Sequence, residues 1–346
     1  MSPSLPAVPS APRPGRPAPA PRRAAGRAAA LATAALCLGV TVVPQSPAAA
    51  DAGRPLMFGA TGASREIVED HERLLRSTLR GVRVYKYWDD ELFSAPQTWA
   101  RNTGHTLFLS VGADRRDGSG PSWSQIAAAR PGDPLYADMR RQAGEVRAFG
   151  APVYLSFHHE PEAAVSHRFG DGADYVAAWR TWVKVFREAG VTNARYVWTL
   201  TAYAFARQDR YRAENYYPGD AWVDDIGADG YNWYRCQDSD GKWRDLADVI
   251  EAHRQFGRRH PTKGLMIWET GSVEDPRHPG RKAGWFRDAT RLFSKPGYDQ
   301  YTAVLTWEGR AHGDSRCGFD YLSSRSATQA WVDMAHDPAF AAKRLR

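Results

Sequence analysis

Residues 152–162 read PVYLSFHHEPE. The first half, with Tyr154, Leu155 and Phe157, is an apolar run of strand length. The second half sets His158, His159, Glu160 and Glu162 around Pro161. Four ionisable groups where a strand leaves a core can mean a metal site, a carboxylate set for acid–base chemistry, or a solvated strand end. What stands at the ends of the other strands decides among these.

Seven further short runs rich in β-branched and aromatic residues occupy 55–62, 82–88, 106–112, 195–201, 223–233, 264–271 and 302–309. Segments with helical spacing alternate with them. One follows a Ser64 cap; two, 123–130 and 136–150, are split by Pro131 and Pro134; another, 173–190, is closed by Gly190. Further helical segments cover 243–259, 280–295 and 326–336. Eight strands alternating with helices predict an α/β chain folded as a single (β/α)8 TIM barrel over residues 51–346. An open doubly wound sheet is the alternative. FGATGAS (58–64) has two glycines but not the GxGxxG spacing of a nucleotide turn.

Residues 1–50 read as an export signal. They hold Arg13, Arg16, Arg22, Arg23 and Arg27 and no acid, then an apolar alanine-rich run, then SPAAADA. The run is short for a membrane span. Cleavage near Ala50 would release a secreted protein, by the general or the twin-arginine route. The whole chain carries 46 Lys and Arg against 39 Asp and Glu. Without the five arginines the count is 41 against 39, a net of +2, so the basic pI gives little support to a nucleic-acid partner. All 13 tryptophans lie beyond residue 50. Cys236 and Cys317 remain as a pair, which in an exported chain predicts a disulfide.

In a barrel of this kind the chemistry sits at the C-terminal ends of the strands. Strand four supplies His158, His159 and Glu160. Strand two supplies Trp88, strand five Trp198, and strand six Asp229, Tyr231, Asn232 and Trp233. Strand seven supplies Glu269 and strand eight Trp307 and Glu308. Glu160 and Glu269 each follow an apolar strand directly, on strands that face each other across the barrel. Glycoside hydrolysis with retention needs two carboxyls roughly 5–5.5 Å apart, one to protonate the leaving oxygen and one to attack the sugar. A metal site is the competitor. Side chains alternate between faces along a strand, so His158 and His159 cannot both face the rim centre, and strands five and seven offer no histidine. On this reading His158 is packed, His159 joins the site, and Glu162 leaves with the loop. GASRE and GDSRC lack the pattern of a nucleophilic serine.

The chain resembles the clan A glycoside hydrolases, and within them glycoside hydrolase family 26, the β-mannanase family. Four segments carry the resemblance: HE (159–160), VDDIGADGYNW (223–233), WETGS (268–272) and FGA (58–60). It implies Glu160 as acid/base, Glu269 as nucleophile, His159 beside the acid/base, Tyr231 donating to the nucleophile and Trp307 beneath the sugar. Arg83 would support the nucleophile; Trp88, Trp198, Asn232 and Trp233 would line the groove. The continuation after HE, PEAAVSHRFGDGADYV, departs from the family pattern. The implied protein is a monomeric, secreted hydrolase of β-linked polysaccharide, with β-mannan first and β-glucan or xylan next. It needs no cofactor and has no nucleic-acid or membrane partner. A non-catalytic carbohydrate-binding barrel is the alternative.

Overall fold

The structure is a computed structural model that describes residues 55–236, 239–309 and 317–342. The expected export segment lies outside the described residues. Eight strands run β1 (Met57–Thr61), β2 (Gly81–Lys86), β3 (Thr106–Val111), β4 (Val153–Phe157), β5 (Ala194–Thr201), β6 (Asp225–Asn232), β7 (Gly264–Ser272) and β8 (Tyr301–Thr306). They pair in parallel in chain order, and β8 returns to β1, so the sheet closes into a barrel. This is the (β/α)8 architecture that the alternation predicts.

The helices are α1 (Arg65–Leu75), α2 (Ala95–Asn102), α3 (Trp123–Ala128), α4 (Pro134–Phe149), α5 (Gly172–Glu188), α6 (Leu246–Arg258), α7 (Arg281–Leu292) and α8 (Arg325–His336). Local chemistry starts them. Ser64 accepts from the Ile67 N–H, and Asp171 accepts from those of Ala173 and Asp174. The sequence reading missed α2, although Ser94 and Gln97 form a capping box and Pro96 stands in its first turn. The β5–β6 connection carries three short 3-10 turns, 202–206, 213–215 and 220–222, and no α-helix.

Parity along each strand sorts the side chains. Met57, Phe108, Tyr154, Val197, Met266, Trp268, Ala303 and Leu305 fill the barrel interior as one cluster. Their neighbours, such as Phe58, Leu107, Leu155, Trp198 and Ile226, face outward into the core shared with the helices. The interior is tight near β1. A Cβ on Gly59 would meet Leu305 Cδ2 at 2.2 Å and the Gly81 carbonyl oxygen at 2.7 Å. Glycine there makes room for Leu305, which belongs to the interior cluster.

Cys236, after β6, and Cys317, after β8, form a disulfide with a Cα–Cα distance of 5.0 Å. It is buried in a small cluster with Tyr234, Val273 and Phe319. The bridge closes a loop of 81 residues, for which the chain-entropy argument allows about 4–5 kcal/mol as an upper figure. Replacing both cysteines by serine is expected to lower stability by about 2–4 kcal/mol. Denaturant unfolding of the double variant, beside the oxidised parent, checks this.

Candidate active site

The chain leaves β4 through an irregular turn. His158 and Glu160 both have left-handed backbone, with φ of 43° and 52°. Such conformations are strained for non-glycine residues and persist only where surrounding contacts enforce them. Those contacts are present. The His158 N–H donates to the Val111 carbonyl (2.8 Å) and the Glu160 N–H to the Thr199 carbonyl (3.0 Å). His158 Nδ1 accepts from the Ala113 N–H (2.9 Å), which leaves its proton on Nε2, facing Ser166 Oγ (3.1 Å). Ser166 Oγ in turn donates to the Glu160 carbonyl (3.0 Å). Trp123 and Phe169 pack on the His158 ring. Burial pushes His158 down to about 3, so it is neutral at ordinary pH. The packed role expected for His158 is what the structure shows, but the turn sets it, not strand alternation.

Glu269 reaches the same mouth by a different device. Ala228 pairs with Ile267 and Asp229 with Glu269, so Trp268 is an extra residue in β7. A bulge of this kind re-aims the side chains beyond it. Trp268 fills the barrel interior, and Glu269 still turns inward, above it. Three donors meet its carboxylate. Arg83 Nη2 and the Tyr85 hydroxyl donate to Oε1 at 3.0 and 2.7 Å, and the Tyr231 hydroxyl donates to Oε2 at 2.8 Å. Arg83 is fully buried, with its guanidinium over the rings of Tyr85 (4.2 Å) and Trp268 (5.0 Å). Arg83 and Tyr231 stand where the resemblance implies. Tyr85 was missed because only the last residues of strand two were considered. Its signal is parity: 83 and 85 share a face, and Arg83 was already assigned to the mouth.

Glu160 sits in a contrasting environment. Removal from water, then the nearby carboxylates of Glu269 and Glu162, push its carboxyl well above the ordinary range, against the opposing pull of Arg83. Burial, with Glu269 and Glu160 adding to it, also pushes Asp229 well up. Both Asp229 carboxylate oxygens are buried without a hydrogen-bond partner. His159 Nε2 lies 3.9 Å from Glu269 Oε1, and its ring is 5.5 Å from that of Tyr85. Burial, with Arg83 beside it, pushes His159 down to about 3. Ligand-type atoms of His159, Asp229 and Glu269 lie within 4.8 Å of one another, a spacing that a metal could use. The guanidinium of Arg83, already on Glu269, opposes a cation there by like-charge repulsion.

Glu162 corrects an expectation. It does not leave with the loop. It is buried, and its Oε1 accepts from the Thr201 N–H (2.8 Å) and hydroxyl (2.6 Å) at the end of β5. The left-handed turn at Glu160 folds the chain back, and Pro161 is buried with it.

Three expected groove residues are elsewhere. Trp198 is outward by parity and fully buried against Phe205, Tyr217 and Phe256. Trp88 is fully buried, donating from Nε1 to Asp138 on α4 (2.9 Å). Asn232 is one residue out of phase with Tyr231. It is buried, donating to Ser272 Oγ and accepting from the Arg244 N–H. None of the three presents surface to a ligand. Trp307 and Trp233 do remain half-exposed at the mouth. Trp307, Trp233 and Tyr231 converge on Phe319, with ring centroids at 6.1, 5.1 and 4.6 Å from it. Phe319 packs beside the disulfide, so the bridge buttresses this aromatic wall.

From Glu160, Asp229 and Tyr231 a cleft of about 1030 Å³ runs along the β5–β6 connection to α6. That is at the upper end of the roughly 300–1,000 Å³ usual for ligand sites.

Comparison with known proteins agrees with this fold. Residues 143–268 match Glycosyl hydrolase family 26. Over 187 residues, 52% of this chain, it is 29% identical to Endoglucanase H of Acetivibrio thermocellus; it spans only 20% of that relative's length. The catalytic domain of the GH26 endo-β-1,4-mannanase of Bacillus sp. JAMB-750 is 14% identical, with a TM-score of 0.61 over 83% of this chain and 87% of that one. A double mutant of the Cellulomonas fimi endo-β-1,4-mannanase is 17% identical, with a TM-score of 0.59 over 84% and 75%. At such identities the structural matches speak for the fold. The matched segment and the barrel together make the chain similar to glycosyl hydrolase family 26, in clan A.

Proposed function

We propose that the chain is a secreted glycoside hydrolase that cleaves a β-linked polysaccharide with retention, Glu160 serving as acid/base and Glu269 as nucleophile. One observation carries the reading: two carboxyls at one barrel mouth stand in opposite surroundings. Glu269 meets a buried guanidinium and two phenols; Glu160 sits among other carboxylates and is pushed up. Pairs of titratable groups in contrasting environments are the signature of divided acid and nucleophile roles.

The steps follow from the geometry. A sugar on Trp307 lies above Glu269, whose carboxylate attacks the anomeric carbon. Arg83, Tyr85 and Tyr231 hold that carboxylate in place. The carboxyl of Glu160 gives its proton to the leaving oxygen. Once ionised, Glu160 takes a proton from the water that releases the sugar from Glu269. Neutral His159, with Nε2 3.9 Å from Glu269 Oε1, offers the sugar a hydrogen-bonding group. β-Mannan is the first substrate, since the structural relatives are named mannanases; β-glucan follows, since the relative that aligns at 29% is named an endoglucanase. Xylan ranks after these.

Glu269→Ala is expected to lower reducing-sugar release from a panel of β-glycans by about 10⁴-fold or more. Unchanged release would overturn the assignment. A wild type that binds glycans and releases nothing from any of them would make this a binding barrel.

The acid must be protonated to act. A raised Glu160 keeps its proton as pH climbs and loses activity only when pH passes its elevated value. The alkaline limb of kcat/KM is therefore expected to lie well above the ordinary carboxyl range. Glu160→Gln, assayed on an aryl glycoside that needs no acid, should flatten that limb.

A hydrogen bond to a charged group contributes about 1.5–3 kcal/mol. Tyr85→Phe is accordingly expected to slow turnover by about 10- to 100-fold. Steady-state kinetics on the best glycan of the panel check this.

A further inference from the structure

The mechanism leaves Asp229 and Glu162 unused among the buried carboxylates of the mouth, and Glu162 is the one with a half-filled set of partners. Glu162 is two residues beyond the acid and 4% exposed. Its Oε1 is fully engaged by Thr201. Its Oε2 is buried and has no hydrogen-bond partner. A buried carboxylate oxygen without a donor is unfavourable, and burial accordingly pushes Glu162 up to about 7. Such an atom calls for an explanation, and at the wall of a cleft a partner that arrives with a ligand supplies one.

The position of Glu162 says which ligand. It lines the cleft that starts at Glu160 and runs over the β5–β6 rim, and neither Glu269 nor Trp307 is among the walls of that cleft. The sugar under attack lies over Glu269 and Trp307. The cleft lies on the other side of the acid, where the departing half of the substrate must be. Its wall holds Tyr203, which is 70% exposed. Arg207 lies over the rings of Tyr203 and Tyr211 at 5.5 and 5.1 Å, and Tyr211 is stacked on His167 at 4.3 Å. Arg207 is itself paired with Asp209, and Arg244, further along the cleft, with Asp240. The arginine charges are thus already compensated. With Glu160, Glu162 and Asp229 also present, the cleft does not suit an anionic group. Acceptor oxygens beside flat aromatic faces suit the hydroxyls and the apolar face of a neutral sugar.

Resting on the hydrolase reading above, we propose that Glu162 anchors a leaving-group subsite. Its free Oε2 accepts hydrogen bonds from hydroxyls of the departing neutral sugar, while Tyr203 offers that sugar or the next one a flat face. Glu162 is in this view a specificity-determining residue, one that favours a glycan over a simple leaving group. No bond to Glu162 forms or breaks in the reaction.

The test compares two substrates in the wild type, Glu162→Gln and Tyr203→Ala. One is a β-linked oligosaccharide of the best glycan. The other is an aryl glycoside with the same sugar to be attacked, whose leaving group has no sugar hydroxyls. The proposal expects Glu162→Gln to lower kcat/KM for the oligosaccharide at least tenfold more than for the aryl glycoside. Tyr203→Ala, an exposed change that does not threaten folding, should shift the ratio in the same direction. Equal losses on both substrates would mean that Glu162 only braces the turn, and would overturn the proposal. So would an unchanged ratio. Inactivation by a 2-fluoro glycosyl fluoride, which carries no leaving-group sugar, reports whether each variant keeps a competent Glu269. A wild type inert to this reagent and to both substrates would instead sink the hydrolase reading, which separates the two failures.

Discussion

The contact between Arg83 and Glu269 ties β2 to β7 across the barrel mouth, and the rest of the site is arranged around it. A guanidinium with no exposed surface cannot be left unpaired, and removing either partner from a buried ion pair is strongly destabilising. The rings of Tyr85 and Trp268 on Arg83 replace some of the hydration it has lost. That positive charge also bears on the neighbours. It adds to the burial that keeps His159 neutral and opposes the upward push on Glu160 and Asp229.

Much of this was legible in the sequence. All eight strands were located within a few residues, because apolar runs between helical segments leave few alternatives. The two carboxylates were found because each stands directly after an apolar strand. What the sequence concealed was local backbone geometry. Nothing in HHEPE announces two left-handed residues, and those decide that His158 packs and that Glu162 is buried. The bulge at Trp268 is equally silent, and strict alternation would have sent either Trp268 or Glu269 outward. Trp198, Trp88 and Asn232 were misplaced for the opposite reason. There the alternation was regular, but a strand-end position was taken as sufficient without asking which face it presents.

The mouth is asymmetric. On one side the disulfide, Phe319 and Trp307 form a braced aromatic wall, and Gly309 gives it room, since a Cβ there would lie 2.5 Å from the Trp307 ring. On the other side the β5–β6 connection, without a helix, leaves an open trough. One side of the mouth is thus pinned and the other open.

Barrel closure has a kinetic side. β1 pairs with β8, elements from opposite ends of the described chain. Such long-range parallel pairing forms late and slowly, because chain entropy is lost before the contacts form. Glu269, its three donors and Glu160 come from β2, β4, β6 and β7, so elements far apart in the chain must meet to bring them together. Until the last strand docks, the interior cluster of Met57, Phe108, Met266 and Trp268 has an open seam. A nascent or truncated chain would thus expose unpaired strand edges beside apolar surface, the condition in which barrels of this class aggregate. Closure of the seam and escape from aggregation arrive together, with the same final strand.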